Sequence, residues 1–246
     1  MADIIRTVYN EYAASARRED FSVEPTPRQV QLGRLVGSDK RVLDLGCSVG
    51  NNAVYLRDLG NEVVGFDIAG PYLEIARQRG IDVYDVNIES DELPVLPPFD
   101  VVIMTEFLEH LIDPIKVLNG PVRQLLKDGG QLVVSTINCG FLRYRITLLC
   151  GELPDFGENR VLSGRRYNLH HKTLLTYETF LDLLKTTGFR PVVLEPVAHV
   201  GRWSRSIRSV VKRLLQYLNP RLFVSDILAV AVKEAVVPDV VPWRSR

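Results

Sequence analysis

Three groups of residues in this chain have the types and spacing to do chemistry. The first is Asp44-Leu45-Gly46-Cys47-Ser48-Val49-Gly50, where an apolar run ends in a carboxylate and breaks into a turn with glycines four apart. Glycine lets the backbone approach a ligand closely and adopt angles that a side chain forbids. Asp67 follows Gly46 by 21 residues, at the end of a second apolar run, where a carboxylate can accept both hydroxyls of a ribose. The second group is Glu106, Glu109 and His110. On a helical turn their spacing puts two carboxylates and an imidazole on one face. The third is His170-His171, with Tyr144 upstream in a stretch that mixes aromatic, leucine and arginine residues. A nucleotide-type ligand site beside acid–base groups is the chemistry these suggest.

The elements that must position them alternate with little interruption. Strands are expected over Arg41–Cys47, Glu62–Asp67, Asp82–Ile88, Phe99–Thr105 and Gln131–Ile137, and helices over Asn52–Leu59 and Pro71–Arg79, each stopped by a glycine. Asp113-Pro114 reads as an N-cap and first helical residue, with a kink or restart at Gly120-Pro121. Continuous apolar strands alternating with helices indicate parallel strands covered on both faces, a doubly wound α/β sheet. Ahead of it stand helices near Ile4–Ala16 and Arg28–Val36. After it come helix Tyr177–Thr187, strand Pro191–Ala198, a basic amphipathic helix over Ser204–Leu218 and strand Ile227–Val232.

With 246 residues, 46% of them apolar, the chain can bury a substantial core. It reads as one domain over 1–235, with 1–37 as a helical cover, 139–172 as an insertion or lid and 236–246 as a loose tail. Lys and Arg number 30, as do Asp and Glu, so no global basic field argues for nucleic acid. Cys47, Cys139 and Cys150 form no CxxC pair, and a reducing, cytoplasmic setting is the plain reading. The amino terminus carries acids and no long apolar core, unlike a signal peptide, and no run has the roughly 18 apolar residues of a membrane span.

Two ligands compete for the Asp44 turn. A dinucleotide fold needs G-x-G-x-x-G, whose second glycine lets amides reach a pyrophosphate at a helix amino terminus. Ser48 stands at that second position, and no third glycine follows at the right spacing. A carboxylate two residues ahead of the first glycine suits a cationic ligand instead. The stretch resembles motif I of the class I S-adenosylmethionine-dependent methyltransferases, acid-x-G-x-G-x-G, with Ser48 a departure at the middle glycine. Val83-Tyr84-Asp85-Val86-Asn87-Ile88 resembles that family's third motif, and Phe99 to Leu111 its fourth strand and following loop. Leu126-Lys127-Asp128-Gly129-Gly130 resembles the segment written L-K-P-G-G, with Asp128 in place of proline.

The resemblance covers residues 40–138. It implies a seven-stranded, mostly parallel sheet of the Rossmann-like methyltransferase type, with N-terminal helices and an insertion after the fifth strand. It also implies S-adenosylmethionine as cofactor. Asp44, Gly46, Cys47, Ser48 and Gly50 would surround the methionyl end, with Asp67 at the ribose and Ile68 beside it. Asn87, or else Asp85, would meet the adenine amino group with Ile88 flanking the ring, and Thr105 and Glu106 would close the set. Cys47 is there as a small apolar side chain, without thiol chemistry.

Methyl transfer is an in-line displacement at a carbon already activated by the sulfonium, so the protein aligns a nucleophile and excludes water. A hydroxyl acceptor also gains from a base. The family's acceptor sits after the fourth strand, which makes His110, with Glu109, the base candidate. Ubiquinone-biosynthesis O-methyltransferases have a similar glutamate, glutamate-histidine run with a divalent ion. That resemblance implies magnesium on Glu106, Glu109 and His110. The plainer alternative is a loop staple without metal, in which His110 donates to a backbone carbonyl and Glu109 faces water. His170, His171 and Tyr144 are candidate substrate contacts.

The stretch from Asn138 to Gly151 resembles MetW-like proteins, methyltransferase-fold proteins linked to methionine biosynthesis. A cofactor-binding regulator that transfers nothing therefore stays open beside the enzyme, as does an NAD-binding oxidoreductase. This stretch and the basic helix suit a lid, an oligomer contact or a peripheral membrane contact. The expected function is methyl transfer to a small molecule, at oxygen rather than nitrogen. The sequence has neither an N-P-P-Y tetrapeptide nor a Pro-Cys pair, and no nucleic-acid partner is expected.

Overall fold

Strand β1 (Arg41–Leu45) is buried on both faces, which only parallel neighbours roofed by helices can satisfy. The computed structural model describes residues 6–7, 9–11, 24–156, 159–162, 165–168, 171–198 and 214–235, with 159–162 and 165–168 described by their backbone alone. In it, β1 pairs in parallel with β2 (Glu62–Asp67) on one side and β4 (Phe99–Met104) on the other. β3 (Asp82–Asp85) pairs with β2, and β5 (Leu126–Ile137) with β4, also in parallel. Past β5 the direction reverses, because β9 (Asp226–Lys233) lies antiparallel between β5 and β8 (Phe189–Pro196). The order β3-β2-β1-β4-β5-β9-β8 is the seven-stranded, mostly parallel, doubly wound sheet that the sequence predicts. Its switch point lies between β1 and β4, where ligands of such sheets bind beyond the strands' carboxyl ends.

Alternating side chains feed two cores. Leu43, Leu45, Phe66, Val102 and Met104 pack on one face with Phe99, Phe180 and Phe189. Val42, Val101, Ile103 and Val133 pack on the other with Leu32, Leu56 and Leu73. Each such side chain contributes roughly 1.5–3 kcal/mol on burial, so the strand ends that hold the site are fixed by packing on both sides.

Local rules explain the helices. Helix α1 (Pro27–Val36) opens on a capping box between Thr26 and Gln29 and stops at Gly37. Helices α2 (Asn51–Asp58) and α3 (Gly70–Gln78) follow β1 and β2. Helix α4 starts at Pro114 with Asp113 accepting from the Lys116 amide. At Gly120-Pro121, where the sequence predicts a kink or restart, the helix widens into a π turn over Leu118–Val122 and resumes at Arg123–Leu125. Proline has no N–H to donate, and the wider turn absorbs the missing bond.

Strand β3 ends three residues earlier than its apolar pattern suggests. Side chains replace the ladder there: Asp91 Oδ2 accepts from the Asn87 amide at 2.9 Å, and Asn87 Oδ1 from the Glu89 amide at 3.1 Å. In the insertion, helix α5 (Leu142–Leu149) is followed by an antiparallel pair, β6 (Asn159–Leu162) and β7 (Arg165–Asn168), which the sequence pattern did not signal. The insertion leaves the sheet at Asn138, whose amide donates to Ser225 O at 2.7 Å and whose side chain donates to Val224 O at 2.7 Å. Helix α6 (Tyr177–Thr186) leads to β8. Of the expected basic helix Ser204–Leu218, only 214–218 are among the described residues, and these are helical. Most of the Ile4–Ala16 helix and the tail 236–246 also lie outside them.

Candidate active site

The turn after β1 is held in a left-handed sequence of conformations: φ is +75° at Gly46, 50° at Ser48 and +78° at Gly50. Such backbone turns amides inward, and the Gly46 and Cys47 amides both donate to Phe66 O, at 2.8 and 3.1 Å. The Ser48 amide donates to Asp67 Oδ2 at 2.8 Å, and the Ala69 amide to Asp67 Oδ1 at 2.9 Å. One carboxylate thus ties the turn after β1 to the loop after β2. Burial raises the Asp67 pKa, while these amides pull against it.

Asp44 sits behind the turn, 1% exposed, and its Oδ2 has no hydrogen-bond partner among the described residues. Burial first, and the Asp67 charge second, push its pKa up to about 7. A cationic ligand beside the turn would relieve both effects. Cys47 packs against Gly65, where an added Cβ would stand 2.6 Å from Sγ. Burial pushes the thiol above its ordinary range, which suits an inert filler and not a nucleophile.

A cavity of about 310 Å³ opens beyond these strand ends. Gly46, Ser48, Asp67, Ile68, Asn87, Ile88, Glu106 and His110 line it, so most of the expected donor residues come together. Asp44, Cys47 and Gly50 stand behind the wall, Gly50 as the N-cap of α2. Thr105 is turned away, with Oγ1 accepting from Asn52 Nδ2 at 2.9 Å. Asp85 is also absent from the wall and is paired with Arg6, which leaves Asn87 as the polar side chain on that side. Among the described residues no Lys or Arg lines the cavity, whereas Asp67, Glu89 and Glu106 do. That lining offers a pyrophosphate no cationic side chain and suits a nucleoside with a cationic end.

The aromatic side chains of Tyr9, Tyr72 and Phe107 also line the wall and were not among the expected residues. Phe107 was within reach of sequence reasoning, because its ring lies where a Gly46 Cβ would be, 2.3 Å from Cδ2, and it sits inside the Glu106–His110 run. Tyr9 gave no signal. It arrives from a segment far from the motifs.

At the acceptor end the expected single face does not form. Glu106 takes a left-handed φ of 53° and precedes a short 3₁₀ turn over Leu108–His110, so it diverges from Glu109 and pairs with Arg28. Glu109 does not face water either; it is 2% exposed. Its carbonyl accepts from the Lys172 and Thr173 amides at 2.8 and 3.0 Å, which hangs the end of the insertion from this turn. His110 Nδ1 lies 3.2 Å from Tyr9 Oη, where the loop-staple alternative expected a backbone carbonyl.

The magnesium set implied by resemblance does not fit. Among the described residues, the side chains that could together hold a cation are Glu109, His110 and His171, without Glu106. Two imidazoles with one carboxylate are a poor match for a hard cation that prefers oxygen. His171 stacks edge-on with His110 at 5.0 Å between ring centroids. Tyr144 does not touch the cavity. It reaches the site through Phe156 and His171, and burial pushes its pKa up to about 12. His170 lies outside the described residues.

Comparison with known proteins agrees with this geometry. The methyltransferase-domain family matches residues 17–195. The ubiquinone biosynthesis O-methyltransferase of Ruegeria pomeroyi is 32% identical over 193 residues, covering 74% of each chain. An S-adenosylmethionine-dependent methyltransferase from Mesorhizobium loti shares the fold with a TM-score of 0.56 at 18% identity, over 84% of this chain and 98% of that one. The Burkholderia thailandensis 1,6-didemethyltoxoflavin-N1-methyltransferase, solved with its substrate and S-adenosylhomocysteine, aligns with a TM-score of 0.58 at 17% identity, over 95% of this chain and 88% of that one. The donor that suits a phosphate-free, acid-lined cavity at this switch point is S-adenosylmethionine, and the chain belongs to the methyltransferase-domain family as a methyltransferase dependent on it.

Proposed function

We propose that the enzyme methylates a hydroxyl oxygen of a small molecule, with His110 as the base. The observation that carries this reading is an imidazole on the cavity wall, held through Nδ1 and flanked by the buried Glu109 and by His171. The Ruegeria relative, an O-methyltransferase by name, supports oxygen as the acceptor atom. When bound, S-adenosylmethionine supplies an electrophilic methyl group on sulfur. Asp67 would hold its ribose hydroxyls, Asn87 would meet its adenine, and Asp44 would balance its positive amino-acid end from behind the turn. The acceptor oxygen would take that methyl group, with the electron pair of the broken carbon–sulfur bond left on sulfur. The hydroxyl proton passes to His110.

Isotope-labelled methyl transfer to phenols and catechols, run beside the matching anilines, tests the acceptor atom. Transfer to the oxygen compounds is expected, and transfer to the amines alone would refute the reading. His110→Ala should lower turnover on the order of 10²–10⁴-fold, the usual worth of a positioned base, with donor affinity unchanged by calorimetry. Full turnover in that variant removes His110 from the mechanism.

A further inference from the structure

Resting on His110 as the base, we infer that Tyr9 is a positioning residue: its phenol oxygen, 3.2 Å from His110 Nδ1, fixes which imidazole nitrogen receives the acceptor's proton. A neutral imidazole carries one N–H and one lone pair, and the partner of one nitrogen decides the state of the other. If Nδ1–H donates to Tyr9 Oη, the lone pair sits on Nε2, which can then act as a base. If the phenol donates to Nδ1 instead, Nε2 carries the proton and His110 can only donate. Catalysis needs the first arrangement. In it the acceptor's proton moves to Nε2, the Nδ1–H bond to Tyr9 persists in the imidazolium, and Tyr9 itself stays neutral throughout. The phenol oxygen thus serves as the orienting acceptor that hydrolytic triads supply with a carboxylate, at lower strength because it carries no charge.

The placement of Tyr9 is over-determined. Arg6, Tyr9 and Asn10 share one face of a helical turn. Arg6 pairs with Asp85 and, at 3.0 Å, with Asp91 beyond β3. Asn10 Oδ1 accepts from the Gly70 amide at 2.9 Å, at the start of α3. The face is therefore fastened to the loops after β2 and β3, and Tyr9 bridges from there to the loop after β4. Lys172 holds the other side: its Nζ lies 5.5 Å over the Tyr9 ring and donates to His110 O at 3.2 Å. An N-terminal segment and the end of the insertion, distant in sequence, converge on one imidazole.

Tyr9→Phe keeps the ring and removes the oxygen. The first readout needs no acceptor: nitrogen-15 spectra of histidine-labelled protein with S-adenosylhomocysteine bound, assigned with His110→Ala. The native chain should show His110 with its proton on Nδ1. Tyr9→Phe should shift the tautomer ratio toward Nε2–H about fivefold, the factor one ordinary hydrogen bond carries. Turnover with catechol as the probe acceptor should fall by a similar factor, with KM for the donor unchanged. An unchanged tautomer ratio in Tyr9→Phe, or a native His110 already protonated on Nε2, overturns the inference even when His110→Ala is slow. A fully active His110→Ala overturns the base reading, and this inference with it.

Discussion

Asp44 is the group whose ionisation the fold and the ligand contest. Its pKa in the folded chain is about 7 against 3.8 ordinarily, so the folded state holds a proton that the unfolded state releases. The protonated form's contribution to stability is complete below about pH 4 and is lost as pH rises towards 7, at most about 4 kcal/mol over the interval. A bound sulfonium or ammonium favours the ionised form, so donor affinity should tighten as pH rises through about 7. Asp44→Asn should flatten both trends. Chemical denaturation without ligand, and calorimetry with S-adenosylmethionine, at about pH 5 to 8 check this; a variant that keeps the native slopes refutes it. At this scale the sequence was informative wherever chemistry is local. Asp44, Gly46 and Asp67 share short motifs, and their types and spacing imply a ligand. Spacing ranked Asn87 ahead of Asp85, and Asn87 is the one on the cavity wall; what the sequence did not show is that Arg6, some eighty positions away, pairs with Asp85.

The turn after β1 shows what an element adds to its residues. A methyltransferase motif of the form acid-x-G-x-G-x-G places glycine where this chain has Ser48, and the φ of 50° there supplies the reason. A side chain in that region costs roughly 1 kcal/mol, while the amide that reaches Asp67 belongs to the backbone. Ser48→Gly should therefore stabilise the chain by up to about 1 kcal/mol in urea titration and leave donor binding intact. A loss of stability would show that the Ser48 side chain makes up for its backbone. Element types were readable from periodicity and punctuation. The departures have specific causes: the Asn87 and Asp91 side chains end β3 early, and Pro121 is accommodated by a π turn. Glu106 was assigned to a shared face because a helical turn was assumed where the chain is left-handed.

Across the whole molecule, alternating apolar strands and helices made the sheet legible, since few topologies bury such strands on both faces. What the sequence did not show is long-range convergence. Tyr9 and Arg28 reach the site from separate segments, and nothing in the local pattern of either indicates a destination. The site divides accordingly. The glycine turn and Asp67 rest on strand ends, whereas the side at His110, where the proposed reading puts the acceptor, meets a segment pinned at Asn138 and again at Lys172 and Thr173. Exchanging residues 139–170 for a relative's segment should leave the donor's stabilising effect in place, about 2.7 kcal/mol at a hundredfold excess over Kd, while changing which acceptors react. Thermal denaturation with and without S-adenosylmethionine measures the first part, and loss of that shift would refute the division.

The two pins have an evolutionary reading as well. A segment whose two ends are fastened to the body of the fold can lengthen, shorten or be rewritten between them without disturbing what lies outside. The backbone bonds from Lys172 and Thr173 to the Glu109 carbonyl make no demand on side chains. On the proposed reading, replacing the stretch between the pins would offer the same methyl donor to new acceptors while the reaction stays the same.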